Sequence, residues 1–232
     1  MKVVFAGPSI HGVDAARPSV ELRGPAAQGA ILEATLDGAT VIGLIDGWFG
    51  HAASVWHKEI AFALDNGVSC FGASSMGALR AAECQDLGMV PVGRIALAYA
   101  RGEIDDDAAV ALTCGPAELG YPPFVEPLVD VWSTLEAMRA TREITDAEAG
   151  CLCGAAGEIF FADRTVEAIV TRAFPDAGRR RQVLSAYEDH RVLQKQADAL
   201  ELLDVVESIA DGPRMTRASA LAIPNFRTSI QA

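Results

Sequence analysis

Apolar residues gather early in the chain into short blocks that end on glycine, proline or aspartate. Val3-Val4-Phe5-Ala6 stops at Gly7-Pro8-Ser9, Thr40-Val41-Ile42-Gly43-Leu44-Ile45 at Asp46-Gly47, and Val68-Ser69-Cys70-Phe71 at Gly72. Uninterrupted apolar runs of this length suit strands buried on both faces of a parallel sheet. Between them lie two segments of helical character, Ala26 to Leu36 leaving through Asp37-Gly38, and Ala52 to Leu64 leaving through Asn66-Gly67. A third, from about Ser75 to Leu87, ends at Gly88. Strands alternating with helices predict an α/β fold, a parallel sheet with flanking helices joined by right-handed crossovers.

Beyond about Gly120 the period changes. Val129, Trp132, Leu135 and Met138 fall near helical spacing, as do Val183, Tyr187 and Leu193, and then Leu200, Leu203 and Val206. The pattern predicts an α/β core over residues 1–120, a mainly helical subdomain over 121–211 and a tail over 212–232. Tyr121-Pro122-Pro123 marks the junction, and Pro213 and Pro224 break up the tail.

Composition narrows the function classes. Half of the 232 residues are apolar and 22% are charged, so the body folds around a sizeable core. With 19 Lys and Arg against 31 Asp and Glu, the formal charge is −12, the wrong sign for a nucleic-acid surface or an anionic membrane. No apolar run is long enough to span a bilayer, and Gly7-Pro8 interrupts any signal-peptide core, so the expected location is the cytoplasm. Cys70, Cys84, Cys114, Cys151 and Cys153 form an odd, scattered set, read as reduced, buried thiols with no metal site.

In a parallel sheet, ligands gather at the carboxyl ends of the strands. Three loops meet there: Gly7-Pro8-Ser9 with His11, Asp46-Gly47 with His51, and Gly72-Ala73-Ser74-Ser75-Met76-Gly77. The last presents a serine where a strand turns into a helix, an arrangement that suits an acyl nucleophile. Ser75 is the candidate nucleophile, the Met76 and Gly77 N–H groups the candidate oxyanion donors, and Ser74 and Gly72 shape the loop. The same serines also suit a helix N-cap or an anion cradle. His57 is the first candidate base and Lys58 the second, with Asp46 placed to orient His57 or to bind a cation. Arg80, Glu83 and Glu59 are supporting charges around this loop. The acidic turn Asp105-Asp106-Asp107 reads as capping or a solvated surface.

These residues also carry a family likeness. Gly7-Pro8-Ser9, Asp46-Gly47, His57-Lys58-Glu59-Ile60, the block from Gly72 to Glu83, Gly88-Met89, and Asp106-Asp107 with Val110-Ala111 together resemble the TfuA-like proteins over about residues 1 to 115. The resemblance implies a partner of a YcaO-type enzyme in ribosomal peptide modification, where a backbone amide oxygen is replaced by sulfur. ATP and magnesium would be used by that partner, and no cofactor is expected on this chain. A sulfur-carrier protein with a C-terminal thiocarboxylate is the implied sulfur donor. On that footing Ser75, deprotonated by His57, would attack the thiocarboxylate and release hydrosulfide, making the chain a hydrolase. The alternative is a non-catalytic adaptor or allosteric activator that binds the YcaO-type enzyme or recruits the donor.

Overall fold

Each of the three apolar blocks becomes a central strand: β1 (Lys2–Phe5), β3 (Val41–Leu44) and β4 (Ser69–Gly72). The computed structural model describes residues 1–49 and 52–210, so His51 and the expected tail lie outside the described residues. Two further strands flank the three, β2 (Val20–Arg23) and β5 (Val90–Pro91). All pair in parallel in the order β2-β1-β3-β4-β5. Side chains alternate between the two faces. Val3, Phe5, Ile42, Leu44 and Cys70 join one core cluster, and Val4, Val41 and Phe71 another.

The first face is covered by α1 (Ala30–Leu36), α2 (His57–Asp65) and α3 (Met76–Glu83), through Ile31, Ile60 and Met76 among others. The helix expected from Ala52 starts only at His57. Glu59 accounts for where it starts: its carboxylate accepts the Trp56 N–H at 2.7 Å and also holds the Gly29 and Ile31 N–H groups that open α1.

The chain continues through α4 (Gly93–Ala100), α5 (Leu128–Ala140), α6 (Asp146–Glu158), α7 (Val166–Ala173), α8 (Ala177–Asp189) and α9 (Gln194–Ser208). Helices α5 to α8 share a third core cluster with Ala78 and Leu79 of α3 and Ile95 and Ala96 of α4. The final helix returns to the sheet. Ala199, Leu202 and Val206 of α9 pack on Val4, Val41 and Phe71, and a Cβ on Gly43 would lie 2.7 Å from Leu202 Cδ2. Lys2 Nζ fastens the far end by donating to Glu207 O at 2.8 Å. The helical second half is therefore tied to the α/β half through α9. Among the described residues no helix is long and apolar enough to cross a membrane. Cys70 and Cys84 are buried as expected, but Cys151 and Cys153 are exposed on α6.

Glycines report two opposite packing situations. A Cβ on Gly77 would fall 1.7 Å from Leu44 O, a backbone atom that cannot move aside, whereas one on Gly150, inside α6, meets nothing within 4 Å. Gly77→Ala should therefore cost about 3 kcal/mol or more in urea unfolding. Gly150→Ala should stabilise by about 0.5 to 1 kcal/mol.

Candidate functional site

Helix α3 begins almost where β4 ends, and this short joint fixes the site. Ser74 adopts a φ of 67°, and the Ser75 N–H turns back to donate to Ala73 O at 2.8 Å. This is a three-residue turn centred on a left-handed, non-glycine residue, a conformation kept only when its surroundings enforce it. Two glycines supply the room: the Gly77 N–H donates to Ile45 O at 3.0 Å, and a Cβ on Gly72 would fall 2.1 Å from Gly77 O. The first turn of α3 is thus pressed against the ends of β3 and β4.

Beside the turn lies a buried polar chain. The Ser74 hydroxyl donates to Ser9 Oγ at 2.9 Å, and the Ser9 hydroxyl donates to Asp46 Oδ1 at 2.7 Å. Asp46 Oδ2 accepts the Gly7 and Ser9 N–H groups at 2.8 and 3.0 Å. Asp46, Ser9 and Ser74 are all buried. Asp46 therefore binds the loop after β1 to the end of β3, where the strand order reverses and ligand crevices form in doubly wound sheets.

Ser75, the next residue, faces Lys195. Lys195 Nζ lies 3.0 Å from Ser75 Oγ and donates to Val110 O at 2.7 Å. Its backbone N–H donates to Asp130 Oδ1 at 2.9 Å. Only 2% of Lys195 is exposed. Burial pushes its amine below the ordinary lysine value, although Asp46 and Asp130 pull the other way. Burial likewise pushes the Asp130 carboxyl up to about 7, against the lowering effect of the Lys195 N–H. An amine whose proton is loosened and which touches a serine hydroxyl is a candidate general base for that serine. The Met76 N–H, first in the helix, has no intrahelical acceptor and adjoins Ser75, so it stays a candidate oxyanion donor. The Gly77 N–H is committed to Ile45 O.

Ser75 opens on a cavity of about 330 Å³ walled by Trp48, Phe49, Cys114, Phe160 and Phe161. Phe160 is 64% exposed at its rim and its ring lies 4.5 Å from that of Phe161. Cys114 is partly buried, which raises its thiol pKa.

The expected pairing of His57 with Ser75 is not the one the structure makes. His57 is the first residue of α2 and half exposed, and its Nε2 lies 2.9 Å from Glu83 Oε2. Glu83 also accepts from Arg80 Nη1 at 2.5 Å, while Arg80 Nε donates to Val55 O. That cluster ties the approach to α2 onto α3. Lys58 is exposed on α2, and Glu59 is the cap described above. Asp46 orients Ser9 rather than His57. Asp106 accepts the Ala108 N–H at 2.8 Å, a capping role. Among the described residues no cluster of three or more His, Cys, Asp or Glu side chains is arranged to hold a metal ion.

Sequence reasoning missed Lys195, Asp130 and Cys114, and it noted Ser9 only as part of its loop. One signal was present. Lys195 shares the spacing i, i+4, i+7, i+11 with Ala199, Leu202 and Val206, so a lysine stands on the buried stripe of α9.

A family model described as TfuA-like protein matches residues 46–165. The matched stretch includes Asp46, Ser74, Ser75 and Asp130, with Ser9 before it and Lys195 after it. None of the curated proteins compared with the chain matches it.

If Lys195 activates Ser75, a neutral fluorophosphonate probe should label Ser75 faster as pH rises through the lowered lysine pKa. Lys195→Ala should slow labelling by about 10² or more, and His57→Ala should leave it within about twofold, as read by intact mass.

Proposed function

The chain belongs to the TfuA-like family, and on that premise we propose that it hydrolyses the C-terminal thiocarboxylate of a sulfur-carrier protein, supplying sulfide to a YcaO-type enzyme that thioamidates a ribosomal peptide. The observation that supports this most directly is the buried 3.0 Å contact between Ser75 Oγ and Lys195 Nζ. ATP and magnesium belong to the partner's reaction.

A thiocarboxylate is an anion and a poor electrophile, and the dyad answers both problems with one proton. Charged Lys195 first gives its proton to the sulfur, leaving a neutral thioacid and a neutral amine. The amine then takes the Ser75 hydroxyl proton while Oγ attacks the carbonyl carbon, and the Met76 N–H stabilises the oxyanion. The intermediate collapses with loss of hydrosulfide, which Lys195 protonates to hydrogen sulfide. The neutral amine now removes a proton from water, the hydroxide attacks the acyl-serine, and Lys195 returns a proton to Ser75 Oγ. The carboxylic acid formed finally recharges the lysine. In sum, a thiocarboxylate and water give a carboxylate and hydrogen sulfide.

Ser74, Ser9 and Asp46 hold Ser75 in line without touching the substrate. The carrier tail lies in the aromatic-walled cavity, where bulk water is excluded and the lysine proton transfers act at full strength.

The two kinds of substrate should give opposite pH dependences. The anionic thiocarboxylate requires the lysine proton, so single-turnover sulfide release should fall as pH rises past the lowered Lys195 pKa. Neutral acylating probes show the reverse. Ser75→Ala and Lys195→Ala should each lower sulfide release by about 10² to 10⁴. Sulfide release by Ser75→Ala at the wild-type rate would overturn the reading.

A further inference from the structure

Two cavities meet at the dyad, one on each partner. Ser75 lines the aromatic-walled cavity. Lys195 lines a second, of about 280 Å³, with Asp130, Glu126, Arg191 and His11. The two share Pro8 and Leu112 as a common wall. The contact between Ser75 and Lys195 is thus a bridge between two spaces of different character. One is lined by aromatic rings and a thiol. The other holds two buried carboxyl groups, a guanidinium paired with Glu126, and an imidazole.

We propose that this second cavity is the site from which a small nucleophile, water in the ordinary reaction, attacks the acyl-serine. The inference rests on the hydrolase reading and adds to it the side from which deacylation occurs. Once Ser75 is acylated, the carrier tail fills the aromatic cavity and closes it to solvent. Deacylation nevertheless needs a water that can surrender a proton to Lys195, and Lys195 lines the second cavity. A resident water needs two to four polar partners, and the lining offers them. His11 Nδ1 donates to Gly120 O at 2.8 Å, since a carbonyl can only accept, and Nε2 remains as a second polar ring atom. Asp130 lines the same space and fixes the Lys195 backbone. The nucleophile class follows from these features: small, polar and bearing a transferable proton. Hydroxylamine fits it, and would convert the acyl-serine to a carrier hydroxamate while restoring the Ser75 hydroxyl.

The test plugs each cavity separately. Leu193→Trp and His11→Trp narrow the second cavity from different elements, and Ala162→Trp narrows the aromatic one. Each variant is mixed with thiocarboxylated carrier after its thermal midpoint confirms folding. Two different second-cavity plugs guard against the loss of one to misfolding. The expected result for Leu193→Trp and His11→Trp is acylation of Ser75 within about twofold of wild type. The carrier adduct should then accumulate by intact mass, and steady-state turnover and hydroxamate yield should fall about tenfold. Ala162→Trp should block the adduct itself. Wild-type turnover with no adduct in both second-cavity variants would overturn the proposal, as would loss of acylation in them equal to that of Ala162→Trp. Wild-type protein that forms no acyl-serine and releases no sulfide would instead overturn the hydrolase reading on which the proposal stands.

Discussion

A lysine ammonium taken wholly out of water is costly unless the fold surrounds it with acceptors and opposite charge. Lys195 is in that position, and much of the architecture can be understood as meeting its demand. Val110 O and Ser75 Oγ lie within hydrogen-bond distance of Nζ, and Asp46 and Asp130 supply negative charge without forming an ion pair with it. These groups come from the loop after α4, the start of α3, the end of β3 and α5. The lysine itself enters on α9, 120 residues beyond the serine it touches. The buried amine therefore gathers the sheet, its carboxyl-end loops and the helical half at one point. Because its partners solvate the cation incompletely, the proton is held loosely, which is the property a base requires.

The second constraint is the distance at which α3 meets the sheet. With hydrogen alone at position 77, the helix starts against Leu44 O. The chain then has no length in which to relax between Gly72 and Met76, and Ser74 takes a positive φ. Ser9 and Asp46 stabilise that conformation from the neighbouring loop, so the direction in which the Ser75 Cβ leaves the chain is set by backbone geometry. A rigid serine facing a rigid lysine stem reduces the reorganisation needed when a proton passes between them.

The local half of this arrangement was legible in the sequence. The three central strands declared themselves as apolar blocks because both their faces are buried, and Ser75 was marked by a strand running through small residues into a helix. The edge strand β2 was hidden because Val20-Glu21-Leu22-Arg23 is partly exposed and carries two charges, and β5 because two residues make no pattern. The family likeness likewise rested on contiguous motifs in the first half, and the family match over 46–165 agrees with it. The partner of Ser75 was not legible in the same way. Pairing Ser75 with His57 assumed that neighbouring elements supply neighbouring groups, but the first residue of α2 turns outward to Glu83. Lys195 could be seen only by asking why a lysine occupies the apolar stripe of a helix, and its partner could not be named without the tertiary fold.

That split between local and long-range information has a chemical counterpart. The α/β half alone could present a serine and an oxyanion donor, and Phe160 and Phe161 of the helical half complete the crevice beside them. Hydrolysing a thiocarboxylate asks for more, because the substrate's own charge must be neutralised before attack and the same proton must be recovered afterwards. A histidine that titrates near neutrality would be uncharged in much of the population when the anion docks. A buried lysine is a better match: its intrinsic basicity keeps a proton available for the sulfur, while burial lowers the cost of giving it up. The helical half contributes that residue, and α9 can place it against Ser75 because the same helix is fixed to the sheet through Gly43, Leu202 and Lys2. On the proposed hydrolase reading the helical half is part of the catalytic unit, since it brings the lysine that would let a modest serine site act on an anionic acyl donor.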